Sequence, residues 1–258
     1  MHQPQTILNT LTDQLGDLLH SSDGYQNRSS LLVKRLENEA HKLLSVDAIA
    51  GYLSLAYLAS LCGEHEQMML YCEKAKKLNA NAFDYLSYIA IGNLNLGFYS
   101  VGQSFVRELL SPEAGGFSSA YHLGIISGAV AMTMKQYESL PFHGIEQPND
   151  FPLKHLKEAN KILQKFDISD QYVAMLLDLA GSVLRKRERF TSSEVVYGLE
   201  NIVSVVTDGG FFEIVQFNIP VSLSIDEVAD MNIDLFEMFA ELDAPIPDAI
   251  HVAFRPVK

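Results

Sequence analysis

The sequence predicts a mainly α protein: stacked helical hairpins followed by a small C-terminal β-α-β unit. Three observations carry this. Apolar residues keep a helical period from the N-terminus to about residue 205, broken by short Gly, Asn, Asp or Pro punctuation. Beyond that point the texture turns β-branched and aromatic. Charge divides nearby: residues 1–190 hold 17 basic and 20 acidic residues, whereas 191–258 hold only Arg255 and Lys258 against 12 acids. The predicted organisation is a helical repeat domain over 1–205 and a small acidic α/β module over 206–258, docked on the last hairpin near 169–205.

Helices are predicted near 4–20, 29–44, 47–61, 64–78, 82–96, 99–110, 117–133, 135–139, 152–165, 169–186 and 190–205. Their close succession favours antiparallel neighbours. Residues 21–27 and 139–152 read as loops. Two uncharged stretches, 85–106 and 114–134, carry Gly, Ser, and Asn or His throughout, so they are expected as buried helices and not membrane spans. FFEIVQFNIPVSL, after Asp208-Gly209-Gly210, reads as a strand. The next segment opens on a capping box, Ser224 with Glu227, and places Val228, Met231, Leu235, Met238, Phe239 and Leu242 on one helical face. Pro245 and Pro247 end it, and IHVAFRPVK reads as a second strand. So small a unit is marginal alone, hence the expected docking. Its strand edges need covering by the scaffold or by a second copy, which allows a homodimer.

At 48% hydrophobic and 20% charged, the chain has enough apolar residues for a sizeable core, and global disorder is excluded. A net charge of −13 argues against nucleic acid as the main ligand and against an anionic membrane. Cys62 and Cys72 are too few for a disulfide framework and fit a reducing compartment. The N-terminus has no basic segment leading into an apolar run, so no signal peptide is expected and the expected location is cytoplasmic.

Gly63 and Gly97 lie 34 residues apart, each at a predicted turn between helices. Aligned on them, Tyr52, Leu55, Ala56, Met68, Cys72 and Ala75 take the large, small and packing positions of a tetratricopeptide repeat. GEHEQMMLYCEKAKKLNAN resembles the second helix of such a repeat, with Ala80 where proline is usual. Leu86, Ile89, Ala90, Gly102 and Val106 keep a second repeat, Leu123-Gly124 and Tyr137 a third, and Gly181, Phe190 and Tyr197 a fourth. Residues 45–205 thus resemble tetratricopeptide repeats, although there is no Trp and Ala59 and Asn93 stand where an aromatic is common. Ala56, Ala90, Gly124 and Gly181 are small enough for close helix approach. The resemblance implies a concave groove for a peptide, here lined by Leu53, Tyr57, Ser87, Ile91, Asn95, Tyr121 and Ile125. Leu53 and Tyr57 replace the Lys and Asn of the subgroup that clamps a C-terminal carboxylate, so that specificity is not expected. If the C-terminal module fills the groove, the same residues are interior.

Catalytic motifs of the GxSxG, HExxH, Walker A, CxxC and dinucleotide types are absent. Glu37 and His41 are the closest approach to metal-ligand spacing, which a surface hydrogen bond explains as well. Cys62 and Cys72 read as core thiols. The run Arg185, Lys186, Arg187 and Arg189 could bind phosphate or an acidic peptide, offset a helix dipole as a solvated turn, or pair with the acidic C-terminal unit. Asp226, Asp230, Asp234, Glu237 and Glu241 form one helical stripe that works against stability, since like charges at i,i+4 repel. It reads as a docking surface for a basic partner or as a solubilising face.

The expected function is a non-enzymatic adaptor or scaffold that binds a protein or peptide, basic in character, through the groove, the acidic surface or both. No cofactor, metal, nucleic acid or membrane is expected. The alternative is a regulatory, antitoxin-like, chaperone-like or nucleic-acid-mimicking protein that neutralises a basic target. An enzyme built from dispersed residues such as Glu37, His41 and His122 is a third reading.

Overall fold

Eleven α-helices and a three-stranded sheet occupy the described residues of the computed structural model: 4–22, 24–111, 118–144, 146–147, 153–191, 202–208 and 212–257. In chain order they are α1 (Pro4–His20), α2 (Leu31–Leu44), α3 (Ala48–Leu61), α4 (His65–Lys77), α5 (Ala82–Asn95), α6 (Tyr99–Leu109), α7 (Ser118–Ile126), α8 (Val130–Ser139), α9 (Leu153–Lys165) and α10 (Asp170–Lys186). Then follow β1 (Val203–Asp208), β2 (Phe212–Val221), α11 (Ile225–Ala240) and β3 (Ile250–Pro256).

Starts and stops are local chemistry. The side chains of Ser30, Asp47, Asn81 and Ser169 accept from the amides of Val33, Ala50, Phe83 and Tyr172 and cap α2, α3, α5 and α10. Gly63, Gly97 and Gly128 turn the chain between α3 and α4, α5 and α6, and α7 and α8. Their φ values of 75°, 72° and 78° are ones that a side chain would resist. The third turn corrects the helices expected at 117–133 and 135–139. The break falls at Gly128, where a Cβ would lie 2.6 Å from Val173 Cγ1, and α8 then runs unbroken to Ser139.

Each helix from α1 to α8 packs on the next, α3 with α4 and α5 with α6 most extensively. Of the expected fourth repeat, Gly181 lies in α10 and Phe190 just beyond it, while Tyr197 falls outside the described residues. Helices α9 and α10 do not pair as a hairpin: α9 lies against α8, β1 and β2, and α10 against α6, α8, α11 and β3. Gly181, expected at a small position of that repeat, instead meets the turn glycine Gly97, so closely that a Cβ on Gly181 would stand only 1.8 Å from the Gly97 carbonyl oxygen.

The sheet has the order β1-β2-β3. The β2-α11-β3 unit is a parallel crossover, from Val215 opposite Ile250 to Val221 opposite Pro256. Before it, β1 pairs antiparallel with β2, Val203 opposite Phe217 through Asp208 opposite Phe212, so the sheet is mixed. The start of β1 at Val203 corrects the C-terminal end of the helix expected over 190–205. Val203-Ser204-Val205-Val206-Thr207 is a β-branched run that finds a partner strand, while 192–201, with Tyr197, lies outside the described residues. The boundary expected at 205/206 falls inside β1.

Two apolar clusters form the core. One joins α1–α4 through Leu11, Leu36, Leu58 and Cys72. The other runs from Leu86, Val106 and Ile125 through Leu176 to Val215, Phe217, Met231, Leu235 and Phe254, so the sheet shares its core with the helices. No helix among the described residues is long and apolar enough to cross a membrane.

Candidate functional site

α10 lies across the turns of the stacked hairpins. Val173 and Leu177 meet Gly128, Gly181 meets Gly97, and Phe190, just beyond the helix, packs on Tyr25 (ring centroids 5.2 Å apart), which covers Gly63. Eight residues of helix rise by about 12 Å, which lets two carboxylates of α10 serve two different neighbours. Asp170 accepts from the amides of Ala131 (2.9 Å) and Met132 (2.8 Å) and caps α8. Asp178 accepts from Ser100 at 3.1 Å and caps α6. Both recipients start without a cap of their own, at Ala129 and Phe98. Burial raises the Asp170 carboxyl above its ordinary range, against the pull of the two amides and Arg107. Gln103 ties the junction by donating to the carbonyls of Ser127 and Asp170, each at 3.1 Å.

The basic cluster is largely used internally. Arg185 donates to the carbonyls of Leu96 and Gly97 at the end of α5 and stacks over Phe98 at 4.1 Å. Burial lowers its pKa. His65 stacks on the same ring at 4.0 Å and meets Asn93 Oδ1 at 2.8 Å, which gives the fully buried Asn93 a polar partner. Arg187 forks onto Asp234 Oδ2 through Nε at 3.0 Å and Nη2 at 2.6 Å, and Arg189 stands 3.7 Å from Glu227. Lys186 is exposed. Of the three readings of this cluster, the observed contacts are those of internal pairing.

The acidic stripe divides accordingly. Asp234 is held by Arg187, while Asp226, Asp230, Glu237 and Glu241 are exposed and form no ion pair among the described residues. α11 itself is fixed. Its capping box at Ser224 and Glu227 is complete, Val228, Met231 and Leu235 are buried, and Asn232 clamps the backbone of Phe254 in both directions (2.8 and 3.2 Å). Sequence reasoning missed a third face. Ile225, Ile233 and Phe236 are 75%, 55% and 48% exposed. The signal was present: apolar residues cover well over half of this helix's circumference, too wide an arc for one buried face.

The residues expected to line a groove part company. Leu53, Tyr121 and Ile125 are buried. The sheet reaches the neighbouring Ile126, which lines a small cleft with Tyr99, Phe217, Ile219 and Pro220. The Asn95 carbonyl accepts from Thr191 at 3.4 Å. Tyr57, Ser87 and Ile91 are half-buried, and Tyr57 packs edge-on against Tyr88 at 6.3 Å. Burial and Tyr88 push the Tyr57 phenol up to about 12. The α7 end of the expected groove is therefore interior, and the α3–α5 end is the part that stays accessible.

Elsewhere, Glu37 is bound by Arg28, and His41 on the same helix is exposed. His122 belongs to α7. Burial raises the Cys62 thiol, against Arg28, and raises Cys72 to about 12, which disfavours the nucleophilic thiolate at both. Among the described residues, no three His, Cys, Asp or Glu side chains gather closely enough to hold a metal ion. Compared with known proteins, the chain matches no family model, no curated protein and no solved structure.

Proposed function

We propose that this protein is a non-enzymatic scaffold that binds a polypeptide, with the outer side of α11 as its principal contact surface. One observation carries the reading. Arg187 and Arg189, beside the acidic stripe, are spent on internal bonds, yet four carboxylates of that stripe have no ion-pair partner among the described residues. Like charges at this spacing cost a few tenths of a kcal/mol per pair, a cost that a basic partner would offset. The resemblance of residues 45–205 to tetratricopeptide repeats supports the same reading, with the accessible Tyr57, Ser87 and Ile91 as a secondary surface.

The test is affinity purification of the full chain after cross-linking in its own cells, beside the variant Asp226→Lys/Asp230→Lys/Glu237→Lys. A defined polypeptide recovered with the original chain and depleted from the variant is the expected result. Recovery of no specific polypeptide, or of the same set with both, overturns it.

A further inference from the structure

α11 has two outward rows, and only one of them is charged. Ile225, Ala229, Ile233, Phe236 and Ala240 are all exposed and follow one another at intervals of four, four, three and four residues. At 3.6 residues per turn they fall within an arc of about 80°, along about 22 Å of helix. Asp226, Asp230, Glu237 and Glu241 each stand one residue further on, which places the acidic row directly beside the apolar one. The helix cannot roll to hide the apolar row. Asn232 pins one flank to β3, and the Arg187–Asp234 fork pins the other to the end of α10. Scattered exposed apolar side chains need no explanation, but an aligned row on a clamped helix does.

Charge selects the occupant. A second copy of α11 laid antiparallel on this face would bring acidic row against acidic row, and residues 191–258 offer only Arg255 and Lys258 in compensation. An anionic lipid surface would be repelled by the same row. We infer that this face receives an amphipathic helix of a partner protein, about four turns long, with aliphatic or aromatic residues along one side and Lys or Arg flanking them. Packing side by side at a shallow angle, such a helix covers Ile225, Ile233 and Phe236 while its cations meet Asp226, Asp230, Glu237 and Glu241. The inference rests on the polypeptide-binding reading above and adds the form and chemistry of the partner.

A synthetic 18-residue peptide of Leu and Lys with helical periodicity serves as the probe. A second peptide of identical composition, its order scrambled to abolish the apolar stripe, is the control. Titrated against the full chain by fluorescence anisotropy, the helical peptide is expected to bind at least tenfold more tightly than the control and to lose affinity as salt rises. Phe236→Asp and Ile233→Asp, tested separately and each verified as folded by circular dichroism, should each weaken it at least tenfold. Phe236 also meets the ring of His251 on β3, 6.2 Å between centroids, and Ile233 makes the test robust should Phe236→Asp perturb that contact. Equal affinity for both peptides would overturn the inference and leave a purely electrostatic surface. Unchanged affinity in a folded variant would also overturn it, as would a dimer of the original chain that Phe236→Asp dissociates in sedimentation velocity. If a polypeptide is captured in cells but the helical peptide shows no preference, the binding reading stands and the inference alone fails.

Discussion

α10 and α11 are helices of similar length, both amphipathic and both carrying carboxylates, yet they use charge in opposite ways. On α10, Asp170 and Asp178 stand eight residues apart and reach the uncapped starts of α8 and α6, while Arg185 and, beyond the helix end, Arg187 and Arg189 turn back onto the fold. On α11, among the described residues, only Asp234 and Glu227 have such partners, and the other carboxylates of the stripe are exposed. A helix whose charges are committed acts as a brace; one whose charges are free, beside an uncovered apolar row, is available to another molecule. The contrast predicts that substitutions on α10 change stability and substitutions on α11 change binding.

The largest effect should come from the crossing of α10 over the α5–α6 turn. Gly181→Ala puts a methyl against the Gly97 backbone, which cannot rotate away, and should cost about 3 kcal/mol in chemical denaturation. Gly16 on α1 is the control, since a Cβ there meets nothing within 4 Å. Gly16→Ala should stabilise by about 0.5–1 kcal/mol. Equal effects at the two glycines would break the idea that α10 is a brace. Next come the caps. Asp170→Ala removes acceptors from two amides of α8 and should cost about 1–2 kcal/mol, with Asp178→Ala, which gives up one, costing less. Hydrogen exchange should localise the loss to the first turns of α8 and α6. Protection lost uniformly along α10 instead would mean that the carboxylates serve α10 and not its neighbours.

Much of this contrast was legible in the sequence, and what was not has physical causes. The turn glycines at 63 and 97, the Ser224–Glu227 capping box and the strands beginning near Phe212 and Ile250 follow from local chemistry alone. β1 was hidden because Ile202-Val203 continues a helical apolar period, and only pairing with β2 decides the competition. The role of α10 was hidden because Asp170 and Asp178 look like ordinary polar residues until the turns they serve are brought beside them. On α11 the pattern located the acidic row and the buried face, but Ile225, Ile233 and Phe236 belong to a second apolar arc. Which arc is buried depends on Asn232 and Arg187, whose partners lie far away in sequence.

The smaller predictions sharpen the α11 side. Arg187→Ala removes a two-pronged contact, but both partners keep about a third of their side-chain surface in water, at 33% and 30%, so the cost should not exceed about 1 kcal/mol. Asp230 is exposed, so Asp230→Lys should leave stability within about 0.5 kcal/mol while weakening partner binding. A stability loss from Asp230→Lys as large as that from Asp170→Ala would erase the distinction between the two helices.

The smallest effect concerns His251, which is half-buried on β3 and meets Phe236 at 6.2 Å between ring centroids. Burial, with Arg255 adding to it, holds this imidazole below its ordinary range. As pH falls through the ordinary histidine value near 6.5, the unfolded chain takes up a proton that the folded chain still refuses, so folding stability falls. The decline ends once pH drops below the folded value, and above the ordinary value His251 contributes no slope. His251→Gln should therefore flatten the change in melting temperature between pH 7 and the onset of carboxylate titration, with little effect at pH 8. Asp170→Asn, on the α10 side, should not remove that slope, because a carboxyl with a raised pKa acts with the opposite sign, favouring the fold as pH falls. An unchanged slope in His251→Gln would show that Phe236 and β3 do not shield the imidazole, and that the seam between α11 and the sheet is wetter than its packing implies.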